Sequence, residues 1–207
     1  MPLPHAWLVS ALAAAALLPC ARAANVQWRL DARHSQVQFG VDHQGYSTTF
    51  GHLRIKDGLL DFDPHDWSSA RLEVEIDMTS VSLGDTRLDA AVRAAALLDT
   101  ARWPSARFTS RRVESRDGRH GVVHGQLQWR GHTRPLALAV TLNRLAPDPY
   151  SMRRKIGFSA TATLARQEFG ITRYPDAIGA DVALRIEVEG FRATGAPPLE
   201  TTDGTQE

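Results

Sequence analysis

The chain has 207 residues, with 24 Lys and Arg against 23 Asp and Glu and a formal net charge of +1. With 43% apolar residues and no block of one charge, it has the composition of an ordinary globular domain. That balance excludes a basic nucleic-acid stripe with interleaved aromatics, and a single cysteine excludes a disulfide framework within the chain.

Residues 6–18 form an apolar run, and Ala21-Arg22-Ala23 follows with the small-x-small pattern of leader cleavage. The run is shorter than the roughly 18 residues of a spanning helix. Residues 1–23 are therefore predicted to be an export leader cut after Ala23. Cys20 lies inside it, and Pro19 stands where a lipidated cysteine needs a small residue. The mature chain then has no cysteine, so although export would permit disulfides it must be stable on packing alone. Residues 24–192 have the length of one domain. Residues 193–207 have almost no apolar surface to offset ordering entropy, which predicts a disordered tail.

Within the domain, apolar residues recur at every second position, the pattern of half-buried antiparallel strands. Val26, Trp28 and Leu30 come first, then Val37, Phe39 and Val41, then a turn at Gly45. Leu53 and Ile55 follow; Asp57-Gly58 reads as a turn before Leu60 and Phe62. The cleanest alternation joins Ala70, Leu72, Val74, Ile76 and Met78 to Arg71, Glu73, Glu75 and Asp77. After it, Leu88, Ala91, Val92, Ala95 and Leu98 are spaced by three and four, which predicts an alanine-rich helix over 85–98 before Pro104. Alternation returns at 123–129, 136–142, 156–164 and 182–188, with turn signals at Asp117-Gly118, Arg130-Gly131, Pro147-Asp148-Pro149 and 176–179. Many amphipathic strands with one helix leave a sandwich or a closed barrel, and both bury the dry face, so periodicity does not choose between them.

Six strings occur in order between Trp28 and Phe191. They are His34 to Ser47, Gly58 to Pro64, Thr79-Ser80-Val81, Leu98 to Ser110, Gly125-Gln126-Leu127 with Arg130 to Leu136, and Arg166 to Ile171. Together they resemble the YceI-like family. The resemblance implies an all-β fold, an antiparallel lipocalin-like barrel of about eight strands with one short helix inserted. It also implies a periplasmic carrier or sequestration protein that holds an isoprenoid lipid or quinone, or a polyprenyl phosphate, in the barrel. Phe39, Val41, Val74, Ile76, Leu127, Leu138, Val140 and Phe158, on the dry faces, would line that tunnel. The family usually has a histidine, a serine and an acid where this chain has Ala91, Ala94 and Ala96, while Asp89 and Arg93 are kept. A polar contact made by those three groups is thus weakened here.

Two other readings compete with a carrier. One is a non-catalytic structural or adhesive β-domain whose apolar faces fill a solid core. The other is an envelope enzyme, but no nucleophile elbow, paired catalytic motif or phosphate-binding loop occurs, so no catalytic residue is assigned. Among the histidines past the leader, His120 and His124 have the even spacing of ligands on one strand face. No carboxylate or cysteine completes a set with them, so no metal or cofactor is expected. Arg130, His132 and Arg134 flank a turn where guanidinium donors could meet an anionic head group, a solvated turn being the alternative. The expected partner is an isoprenoid, with no nucleic acid and no stable membrane insertion; no signal specifies an oligomeric state.

Overall fold

The computed structural model describes residues 25–193; the predicted leader with Cys20 and all but the first residue of the predicted tail lie outside the described residues. Strands β1 (Val26–Leu30) and β2 (Gln36–His43) run in the same direction between β3 (Ser47–Phe62) and β9 (Ile178–Arg192). β1 pairs with the far ends of those strands, Trp28 with Leu60 and Arg192, and β2 pairs nearer the hairpin tip, Phe39 with Gly51 and Leu184. The two share one slot, interrupted at residues 31–35. From β9 the sheet continues through β8 (Arg154–Ala165), β7 (His132–Pro147), β6 (His120–Trp129), β5 (Ser105–Ser115) and β4 (Arg71–Ser82). β4 then pairs with β3, so eight slots close an antiparallel barrel with no free edge.

Two local readings of the sequence are corrected, and one strand that it did not signal is added. Asp57-Gly58 is not a turn: β3 runs through it, with a register irregularity against β4 between Ile55 and Asp57. The extra residue lets Ile55 and Leu60, five apart, both point inward, and that phase break mimics a turn in the sequence. Strand β5 carries the same device, with a register shift between Ser110 and Arg112 that separates inward Phe108 from inward Val113. Its alternation is broken, and the strand leaves no clean signal. The helix α1 is Thr86–Arg93, shorter than 85–98. Asp85 caps its first turn by accepting from the N–H groups of Arg87 and Leu88. Beyond Arg93 the chain folds back, with Leu98 N–H donating to Val92 O and Asp99 in the left-handed region.

The turns fix which loops share an end. Arg130 and Gly131 both have positive φ, 52° and 75°, the two-residue geometry that follows strand twist in a hairpin. The β2–β3 tip, α1 and its return loop, the β6–β7 turn and the β8–β9 loop lie together at one end. At the other end lie the β3–β4 connection, with a short 3-10 turn at Trp67–Ser69, and the β5–β6 and β7–β8 hairpins.

That second end is plugged. Phe62, Trp67 and Phe158 pack edge to face, with ring centroids 5.3 Å, 5.5 Å and 6.2 Å apart. Phe62 and Ile156 are almost wholly buried. Gly121 lets the plug settle, since a Cβ there would stand 2.2 Å from Glu114 O and 2.9 Å from the Trp67 ring.

Candidate ligand-binding cavity

The remainder of the barrel is hollow. A cavity of about 680 Å³ runs from the plug to the loops of the opposite end, a volume within the usual range for small-molecule pockets. Phe39, Val41, Val74, Ile76, Leu127, Leu138, Val140 and Phe158 all lie on its wall. Leu127 and Leu138 are buried, whereas the other six are only half-buried although they point inward. Inward apolar side chains stay accessible because they border open space. A filled core, the alternative drawn from the sequence, does not match this interior.

The cavity opens at the loop end. Of its wall residues, Asp42, His43, Leu88, Ala91 and Tyr174 are exposed, and all five belong to that end. At the plug the wall residues Leu30, Leu60, Phe62 and Trp67 are buried. Helix α1 lies along the mouth and presents Leu88, Ala91 and Val92 to the lumen. It is held by polar contacts. Leu83 N–H donates to the buried Asp89 Oδ1 at 2.6 Å, and Arg93 donates through Nε and Nη2 to Thr79 O and Val81 O. Asp89 and Arg93 thus seat the helix, and Ala91 adds a methyl group to the wall.

Polar side chains enter the wall only near the mouth: Asp42, His43, Thr49, Arg166 and Tyr174. Arg166 is 3% exposed and faces no carboxylate among the described residues. Its guanidinium donates to the carbonyl oxygens of Gly179, Ile171, Arg173, Tyr174 and Ile178, at 2.7 to 3.4 Å. Burial lowers its pKa from the ordinary value, yet a guanidinium stays charged at neutral pH. All five of its N–H groups are engaged, so it folds the β8–β9 loop around itself and has no donor left for a ligand.

The basic turn predicted for a head group is placed differently. Arg130 donates from Nε to Phe169 O at 2.9 Å and from Nη1 to Leu97 O and Leu98 O at 3.0 and 3.1 Å. It ties the α1 return loop to the β8–β9 loop. Arg134 donates to its neighbour Thr133 O, and His132 sits beside Gly170. None of the three lines the cavity. Sequence reasoning missed Asp42, His43, Thr49, Tyr174 and Arg166. Asp42 and His43 sit in the first string of the resemblance, and Arg166 opens the last, but no local pattern says that these loops converge.

The histidines considered as ligands are engaged locally: His120 Nδ1 lies 2.8 Å from Asp117, and His124 lies 3.7 Å from Glu114. Among the described residues no three His, Cys, Asp or Glu side chains come together as a metal site.

Residues 28–190 match the YceI-like domain. The chain belongs to the YceI-like family. It is 32% identical over 187 residues to a UPF0312 protein of Shewanella baltica, covering 89% of this chain and 97% of that one. It is 33% identical over 162 residues to the YceI protein of Escherichia coli, covering 78% and 84%. Two solved structures show the same fold. Burkholderia cenocepacia BcnA superposes with a TM-score of 0.69 at 20% identity, covering 80% of this chain and 99% of that one. A polyisoprenoid-binding domain from Saccharophagus degradans, implicated in plant cell wall breakdown, does so with 0.59 at 14% identity, covering 82% and 99%.

Proposed function

We propose that this YceI-like barrel is a periplasmic carrier or sequestration protein for an amphiphilic isoprenoid, acting by binding and not by catalysis. The observation that carries this is the hollow interior, about 680 Å³, whose wall is apolar except at the mouth. A hydrocarbon chain moved through water exposes its whole length. Burial recovers about 0.8 kcal/mol per methylene-sized group before the ordering cost is subtracted. A lumen with polar groups only at the opening suits a molecule that is apolar along its length and polar at one end. The polyisoprenoid-binding neighbour supports the ligand class, and the leader-like residues 1–23 support the compartment.

Of the two head-group classes expected, the uncharged one fits the mouth better. A phosphate needs free cationic donors, and the one arginine among the described wall residues has committed its donors to carbonyls while Asp42 adds a negative charge. A quinone-like head needs only hydrogen-bonding groups such as Thr49, His43 and Tyr174.

Organic extraction of protein purified from the cell envelope, followed by mass spectrometry, tests the reading. Recovery of a neutral isoprenoid in near-stoichiometric amount is expected. An empty extract, together with failure of the delipidated protein to take up any prenyl lipid, overturns it.

A further inference from the structure

The plugged end carries a feature that the cavity does not use. Between β7 and β8 the chain turns through residues 148–153, and the turn consumes its own acid. Asp148 Oδ2 accepts from the Ser151 hydroxyl at 2.6 Å and from the Ser151 N–H at 2.9 Å. The Ser151 hydroxyl holds that carboxyl below the usual carboxylate range. Met152 N–H donates to Asp148 O at 2.8 Å, and Met152 sits in the left-handed region with φ 56°. This fixed turn holds two apolar side chains in water, Tyr150 at 95% exposure and Met152 at 74%.

Behind the apex stand cations. Lys155 pairs with Glu189, and Arg153 lies over the Phe191 ring at 4.8 Å. Arg144 and Arg154 form no ion pair with any described residue. The neighbouring β5–β6 turn adds Arg116 and Arg119, also without ion pairs among the described residues, and Leu142 N–H donates to Arg119 O at 2.8 Å. That bond holds the second turn against the base of the hairpin. The nearby acids are engaged elsewhere, Asp117 with His120 and Glu114 with Arg112.

We propose that this end docks on an anionic phospholipid surface. Apolar groups at the apex of a narrow turn, with unpaired arginines set behind them, repeat the order of a bilayer interface, hydrocarbon deepest and phosphate above. Tyrosine partitions to that interface, and a basic cluster is drawn to anionic lipid in a salt-dependent way. The apolar side chains of the mouth end, Tyr46, Phe50, Leu88 and Tyr174, lie in loops that also carry the acids Asp42, Asp85 and Asp176. The mouth then faces away from the docked surface.

Co-sedimentation of the full mature chain with vesicles tests the proposal, using phosphatidylcholine alone and phosphatidylcholine with phosphatidylglycerol. Binding to the anionic vesicles is expected to exceed binding to the neutral ones at least tenfold and to fall about tenfold in 0.5 M salt. Arg144→Ser with Arg154→Ser, and separately Tyr150→Ser with Met152→Ser, should each weaken it about tenfold. Tyr46→Ser with Phe50→Ser, at the other end, should leave it within about twofold. All of these positions are exposed, and an unchanged thermal melt verifies that each variant is folded. Equal binding to both vesicles, no binding, binding only to an acidic protein, or loss only in the mouth variants overturns the proposal. None of these outcomes bears on whether the cavity holds an isoprenoid.

Discussion

The two ends of this barrel are held by different balances of apolar burial and directional hydrogen bonding. At the plugged end, Phe62, Trp67, Phe158, Trp28 and Ile156 fill the space between strands, and cohesion comes from apolar burial. At the mouth many apolar side chains face the lumen, and the loops share a smaller apolar cluster in which Trp129 packs on Phe169 with ring centroids 5.6 Å apart and Ile171 is also buried. Guanidinium groups add directional bonds between the loops. Arg130 joins two of them through three carbonyls, Arg166 gathers five, and Arg93 seats α1 through two. A hollow protein can keep its rim ordered if directional hydrogen bonds supplement a reduced apolar core. The cost is a buried charge, tolerable at Arg166 because its donors are fully satisfied.

The largest test of this contrast removes the plug. Trp67→Ala deletes a side chain 4% exposed, wedged between Phe62 and Phe158, and should lower unfolding free energy by about 3–5 kcal/mol in urea titration. A loss under about 1 kcal/mol would mean that the plug is not the stabilising centre. At the mouth, Arg166→Met keeps the apolar stem and strands five carbonyls. It should cost about 3 kcal/mol, with hydrogen exchange rising first in residues 170–179. If Arg166→Met is neutral while exchange in that loop is unchanged, the loop is held by something other than the guanidinium.

The same contrast explains what can be read from residues alone. The cavity wall is legible because alternation is local: eight dry-face positions chosen from the sequence all reach the lumen. Alternation fails where bulges shift the phase, which splits one continuous β3 into two pieces around Asp57-Gly58 and hides β5. The helix is overextended because alanine propensity continues past Arg93, while the backbone there is bent by tertiary bonds to Arg130 that no local pattern announces. The polar mouth is least legible. Asp42 and Tyr174 are distant in sequence and line one cavity mouth because β2 pairs with β9. Arg130 and Arg166 look alike as basic residues near glycine turns, and neither offers a free donor to a head group.

The smallest expected change in stability gives the sharpest separation of hollow from filled. Ile76 lines the lumen, is only half-buried, and has small Ala106 opposite it on β5. Ile76→Trp adds volume that a packed core could not accept without about 1–3 kcal/mol of strain. In a hollow barrel the indole can enter the lumen, so the delipidated protein should lose less than about 1 kcal/mol. The ligand should then be excluded, and the extract of the variant should hold little or no isoprenoid. Melting must be compared after delipidation, because a bound ligand stabilises the folded state by mass action and its loss alone would lower the melt. Glu73→Gln, at a wet-face sequence position of the same strand β4, serves as the control and should alter neither readout. A variant that melts far lower yet still yields ligand would place the isoprenoid outside this lumen.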